Sequence, residues 1–152
     1  MQPHVVHIVR RFGRAGGMEN YVWKIAHGLV ERGYLVSVIC EQITDNASPI
    51  IEVLKVEKIT ERSRWKSMRT FRDRVDELLK ERFSGRVVIV HSHERSLSHQ
   101  VTTFHGPPID SAKKPKLLSF LSPRIRAWRI MERHELLNSG VEVVVPVSSI
   151  IH

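Results

Sequence analysis

Residues 4–40, HVVHIVRRFGRAGGMENYVWKIAHGLVERGYLVSVIC, decide the fold. The opening run 4–10 (HVVHIVR) is short, apolar and rich in β-branched residues, the pattern of a buried strand. Residues 11–17 (RFGRAGG) form a glycine loop. From 18 to 32 the apolar positions Met18, Tyr21, Val22, Ile25, Ala26 and Leu29 recur at helical spacing and make one stripe. Gly33 follows as a C-terminal glycine stop. Residues 35–40 (LVSVIC) read as a second strand.

Outward from this unit the alternation continues. Residues 45–49 are a turn and 52–56 a weaker third strand. Helical spacing returns over 65–83 in Met68, Phe71, Val75, Leu78, Leu79 and Phe83, ended by Gly85. Residues 87–91 (VVIVH) are another buried strand, and 100–104 (QVTTF) follow after only eight residues. Pro107 and Pro108 force a loop to about 115. Residues 123–137 read as a helix with proline in its first turn, and 141–147 as a last strand. Helices alternating with apolar strands predict a mostly parallel sheet covered on both faces. The expectation is an α/β, Rossmann-like doubly wound single domain over residues 1–152, without repeats or low-complexity tracts.

Composition bounds the function. A length of 152 residues suits one domain, and 41% hydrophobic residues exclude wholesale disorder. A lone Cys40 excludes a disulfide scaffold and a multi-cysteine zinc site. No apolar run approaches the ~18 residues of a membrane-spanning helix, and no secretion signal is expected from residues 1–4. Asn46-Ala47-Ser48 is read as a chance sequon. The formal charge of +8 is unevenly placed. Residues 58–74 hold seven basic residues against two acids, and residues 113–133 seven against one. Such segregation favours a polyanionic partner, or else is a solvated basic face. On the last helix Arg126, Arg129 and Arg133 share a face, with Trp128 beside them at a headgroup boundary and Lys113, Lys114 and Lys116 just before. This set fits an anionic membrane surface. No recognition motif or aromatic stacking platform points to nucleic acid, which is not expected as a partner.

Ligands of open α/β sheets bind beyond the carboxyl ends of the strands, and three groups of residues fall there. Gly16 and Gly17 permit close backbone approach, and the helix start behind them favours an anion. The loop lacks both the G-x-G-x-x-G and the P-loop spacing, so a phosphate site and a tight turn both remain open. Glu19, in the first helical turn, is either part of that site or a dipole partner. The second group is His91, His93, His99 and His105, placed at strand ends for proton transfer or for bonds to a hydroxylated substrate. The spacing of His91 and His93 suits strand ligands, but with only Glu94 nearby no metal is expected. The third is Ser148-Ser149, as ligand contacts or a helix cap. Cys40 reads as a small buried residue.

Residues 4–10, Gly16-Gly17-Met18-Glu19, 26–33 (AHGLVERG) and 35–40 together resemble the start of GT-B-fold retaining glycosyltransferases, the large family that includes lipopolysaccharide-core and mannosyl transferases. Residues 90–94 (VHSHE) and 103–107 (TFHGP) look like that family's next two signatures. Glu132-Arg133 and 143–149 (VVVPVSS) look like the end of its N-terminal domain. The resemblance implies transfer of a sugar from a nucleotide-sugar donor, a substrate and not a cofactor, to a cell-envelope glycan or lipid-linked acceptor, without a metal ion. It implies that this domain is the acceptor side, that Gly16 and Gly17 approach the donor, and that Glu19 belongs to the same loop. His105 is then the catalytic-site residue beside the transferred sugar, with His93 and Glu94 as substrate contacts. A cytoplasmic location at the inner face of the membrane also follows from it. The family's helix between the strands ending at His91 and before His105 is expected to be shortened or lost. The donor-binding domain would follow His152, so the chain is read as an N-terminal half that needs a C-terminal domain or partner chain and is inactive alone. The alternative is a non-catalytic module that binds an anionic membrane surface or a glycan.

Overall fold

The computed structural model describes residues 3–106, 122–138 and 140–147. The main sheet has six strands in the order β5-β3-β1-β6-β7-β8, and every pairing in it is parallel. Its strands are β1 (His4–Ile8), β3 (Leu35–Cys40), β5 (Glu52–Lys55), β6 (Val88–Ser92), β7 (Val101–Phe104) and β8 (Val143–Pro146). The helices are α1 (Gly17–Glu31), α2 (Arg64–Phe83) and α3 (Pro123–Leu137). From β1 the chain steps outward to β3 and β5, then returns to the other side of β1 for β6, β7 and β8. The switch point therefore lies between β1 and β6, where such sheets bind ligands.

One face of the sheet presents Val6, Ile8, Ile39 and Val90 to Phe71, Val75 and Leu79 of α2 and Met131 of α3. The other presents Val9, Val36, Val38 and Cys40 to Val22 and Ala26 of α1, with Phe12 beside them. Each such side chain, fully buried, contributes about 1.5–3 kcal/mol over leaving it in water. Gly33, at φ 84, ends α1 as its position in the sequence suggests, its N–H donating to the Val30 carbonyl at 2.9 Å.

Three features differ from the sequence expectation. The stretch 11–17 is not all loop: β2 (Arg11–Phe12) pairs in parallel with β4 (Gln42–Ile43) in a second, two-stranded sheet. Two-residue strands carry no periodicity to read. The second difference follows from the eight-residue connection between β6 and β7, too short for a helix. It cannot return to the start of β6, so β7 begins level with the end of β6, with His91 opposite Val101. Gln100 fills part of the step, accepting the Val90 N–H on its side-chain oxygen at 2.8 Å. A groove of about 460 Å³ remains below it, lined by Val88, Val90, His99, Gln100, Asp76 and Asn138 among others.

The third difference is that residues 87–91 are not uniformly buried. Val87 is 89% exposed and Ile89 43%. Ile89 shares a sheet face with Val143, 48% exposed, and among the described residues no helix lies over that part of the sheet. Among the described residues both faces are covered at β1, β3 and the end of β7, where Thr102 and Thr103 are fully buried, while Ile89 and Val143 stay open.

Candidate functional site

The site is built by strand ends. The main-chain N–H of His93 donates to the Ile8 carbonyl at 2.9 Å, which ties the turn after β6 to the end of β1. The register sets His7 opposite His91. The imidazoles of His7, His91 and His93 therefore meet at the switch point, with ring centroids 4.2 Å apart for His91–His93 and 5.2 Å for His7–His91. His105 follows β7 immediately, and its Nε2 lies 3.5 Å from His93 Nδ1. Tyr21 of α1 sets its ring edge-on to both His93 and His105, at 5.8 and 5.7 Å.

Of these rings, His93 and His105 open onto a cavity of about 330 Å³. Its wall includes Glu19, His93, Glu94, His105 and Trp128, with Arg10, Arg11, Arg64 and Arg95 as its basic groups. Gly16 and Gly17 are exposed and are not among the residues that line it. Gly16 adopts φ +94, and a Cβ there would lie 2.3 Å from Glu19 Oε2. That explains the glycine without a ligand: the backbone needs the left-handed region, and the space belongs to Glu19. Glu19 is buried and accepts two bonds from Arg11, from Nε at 3.1 Å and from a terminal nitrogen at 2.6 Å. It is thus more than a dipole partner. Gly16→Ala is expected to cost about 2 kcal/mol, read from the urea midpoint, because it combines positive-φ strain with displacement of this ion pair.

Burial keeps the histidines neutral. It pushes the His7 imidazole down to about 3 and His91 to about 4, in each case aided by neighbouring rings. His93 is driven down further for the same reasons. His105 is lowered by burial, while the Glu19 charge opposes the shift. Burial acts the other way on two acids. Glu94, partly exposed as a residue, has its carboxyl raised to about 7 although the Arg10 N–H donates to it at 3.3 Å. Glu135 is also raised to about 7, against the pull of Arg95. Arg95 bonds Glu132 at 3.1 Å, lies 3.6 Å from Glu135, and stacks 4.8 Å from the Trp128 ring centroid.

Not every expected residue joins the site. His99 does not: its Nε2 donates to the Glu135 carbonyl at 2.9 Å and its Nδ1 accepts from Ser96, and it faces the groove under β7. The shift of β7 along β6 separates it from His105. Trp128, half-buried, lies against the α2 core and lines the cavity, between Arg64 at 6.0 Å and Arg95. Arg126 and Arg133 are exposed on α3, as their spacing suggests. Lys113, Lys114, Lys116, Ser148 and Ser149 lie outside the described residues. Sequence reasoning missed His7, Arg10, Arg11 and Tyr21. Arg10 and Arg11 carried a usable signal, since they directly follow the first strand at the ligand edge. His7, inside an apolar strand, carried none.

If a metal bound here, His7, His91 and His93 would hold it, each offering one nitrogen within 4.8 Å of the others. The His7–His93 nitrogens, 3.3 Å apart, suit a shared ion. His91 Nε2 is already bonded to Thr103 at 2.7 Å, and the group contains no carboxylate or thiolate.

A doubly wound parallel sheet with a polar cavity at its switch point defines a Rossmann-like ligand-binding domain. Residues 15–150 match the family described as Glycosyltransferase Family 4, and the chain belongs to that family. Among solved structures it is similar to WaaG, a glycosyltransferase involved in lipopolysaccharide biosynthesis. The TM-score is 0.80 at 16% identity, over 97% of this chain and 39% of that one. The likeness shows a shared fold, that of a Rossmann-like domain of the GT-B type, and this chain spans about two fifths of the WaaG length. No curated protein sequence matches it.

Proposed function

We propose that this chain forms the acceptor-side wall of a glycosyltransferase that moves a sugar from a nucleotide-sugar donor to a cell-envelope glycan or lipid-linked acceptor. The observation that carries this reading is the cavity between α1 and the ends of β1, β6 and β7. It gathers neutral imidazoles, carboxylates and guanidiniums, the groups that hydrogen-bond sugar hydroxyls and phosphates. His105 lies beside the transferred sugar, with His93 and Glu94 behind it. Gly16 and Gly17 admit the donor at the α1 start, where amide dipoles and Arg11 meet its phosphates. Charge is neutralised by these groups without a metal ion. The test is transfer of a labelled sugar from a nucleotide-sugar to a lipopolysaccharide-core or polyprenyl-linked acceptor, assayed with a donor-binding domain joined to this chain; the chain alone is expected to give no turnover. His105→Ala is expected to lower kcat/KM about 100-fold, the loss typical of one hydrogen-bond donor at a reacting centre. An unchanged kcat/KM removes His105 from the site.

A second observation favours a working position at an anionic membrane face. The two basic segments, far apart in sequence, meet where Arg64 of α2 lies over Trp128 of α3. Arg64, Lys66 and Arg69 are exposed on α2, and Arg126 and Arg133 on α3. No described helix is long and apolar enough to cross a membrane, so contact would be peripheral. Replacing Arg126, Arg129 and Arg133 together with Ala is expected to weaken binding to anionic vesicles roughly 100-fold, at about 1 kcal/mol per residue. Co-sedimentation with anionic and neutral vesicles over a salt series checks this; equal binding to both would remove the membrane reading. Vesicle or glycan binding together with failure to transfer even when a donor-binding domain is joined to the chain would favour the non-catalytic module.

A further inference from the structure

Three imidazoles run in line from the core to the cavity. His7 Nδ1 lies 3.3 Å from His93 Nε2, and His93 Nδ1 lies 3.5 Å from His105 Nε2. A neutral imidazole has one N–H and one lone pair, so it donates at one nitrogen and accepts at the other. His93 must therefore accept from one neighbour and donate to the next. Only two arrangements satisfy both contacts: every ring protonated on Nδ1, or every ring protonated on Nε2. The inner end of the chain discriminates between them. His7 is fully buried, and its Nε2 has no hydrogen-bond partner among the described residues. The second arrangement would place a buried N–H there without an acceptor, whereas the first leaves only a lone pair. Orphaned buried N–H groups are the rarer of the two in folded proteins.

We propose that His7, His93 and His105 form a hydrogen-bonded chain of one polarity, each carrying its proton on Nδ1, so that His105 offers the cavity an N–H donor and not a basic lone pair. His7 and His93 are then positioning residues: they act through His105 and need not touch ligand. On the glycosyltransferase reading, on which this consequence rests, His105 donates to an oxygen of the bound sugar or phosphate and is not the general base. Its Nδ1 makes no bond to another described residue, which leaves that N–H for a ligand.

The test reads tautomers directly, by long-range proton–nitrogen correlation on the nitrogen-15-labelled, ligand-free protein near neutral pH. The structure supplies its own standards. His27 Nδ1 donates to the Trp23 carbonyl and its Nε2 accepts the Ser48 N–H, so it is fixed as Nδ1–H. His99 donates from Nε2 to the Glu135 carbonyl. His4 Nε2 donates to Ser37, whose own hydroxyl proton goes to Glu52. Both are fixed as Nε2–H. His7, His93 and His105 are expected to group with His27, with Nδ1–H populated at least tenfold over Nε2–H. Free histidine prefers Nε2–H, so this result cannot arise by default. An Nε2–H majority at His93 or His105, or an imidazolium at His93, overturns the proposal.

His7→Phe keeps a ring in place and removes the first donor; His93 and His105 should then revert toward Nε2–H. His7→Asn restores a donor near the Nδ1 position and should restore the His105 signal, and it serves if the Phe variant does not fold. A His105 tautomer indifferent to both substitutions would leave His7 no positioning role. None of these readouts requires sugar transfer. Failure of the transferase reading would leave the tautomer chain standing, with only its ligand unassigned.

Discussion

Stability is expected to collapse below about pH 4.5 in a steep step, with a much shallower slope between 4.5 and 6.5. The folded chain protonates His7 and His91 only near about 3 and about 4, and His93 lower still. The unfolded chain protonates all three near 6.5. As the pH falls below 6.5 the unfolded state takes up protons that the folded state refuses, and stability is lost. Glu94 and Glu135 act oppositely. Raised to about 7 in the fold, they bind protons preferentially in the folded state between their ordinary value near 4.5 and 7. In that window their stabilisation is lost as the pH rises. Two carboxyls thus offset two of these three imidazoles between 4.5 and 6.5, while His4, His99 and His105, also lowered by burial, keep part of the slope there. Below 4.5 the carboxyls are protonated in both states and the imidazoles act unopposed. At about 1.4 kcal/mol per group per pH unit, the slope there approaches roughly 3–4 kcal/mol per unit. Urea midpoints at pH 7, 5.5, 4.5 and 3.5 measure it. A stability that falls evenly from 6.5 to 3.5 would contradict the opposing carboxyls.

Arg95→Ala is expected to cost about 3–5 kcal/mol near pH 8 and distinctly less near pH 6. Arg95 bonds Glu132, lies 3.6 Å from the Glu135 carboxylate and covers Trp128. Glu135 is 3% exposed, so removing the guanidinium leaves a buried carboxylate without its cation, and that is where such costs arise. Without Arg95 the Glu135 carboxyl rises further, and below pH 7 it takes up a proton in place of the lost partner. The difference between wild type and variant therefore shrinks on mild acidification. Arg95→Met keeps more of the packing stem and is expected to show the same pH dependence with a smaller total loss. Equal losses at pH 8 and pH 6 would assign the whole effect to packing against Trp128.

Much of this architecture was legible before any coordinates. The stripe from Met18 to Leu29 and the run from Met68 to Phe83 are local periodicities, and they gave α1 and α2 to within a residue at each end. The strand–helix alternation implied parallel pairing, because a strand followed by a helix that packs back on the sheet returns in the same direction. Glu19 and His105 were legible as rim residues, since each directly follows the carboxyl end of a strand or the loop beyond it. The short gap between residues 91 and 100 announced the lost helix. It did not announce the consequence, the shift of β7 along β6 that separates His99 from His105 and uncovers Ile89.

By itself, then, the sequence determined the three helices and the six strands of the main sheet, their order, its parallel pairing and the edge where chemistry gathers. Each of these depends on spacings within one segment or on turn chemistry between neighbours. The tertiary structure alone decided that His7 joins His91 and His93, that Arg64 meets Trp128, and that Arg95 holds Glu132 and Glu135. These partners are 30 to 90 positions apart along the chain. Their meeting depends on strand register and helix packing, where a shift of one residue turns a side chain to the opposite face.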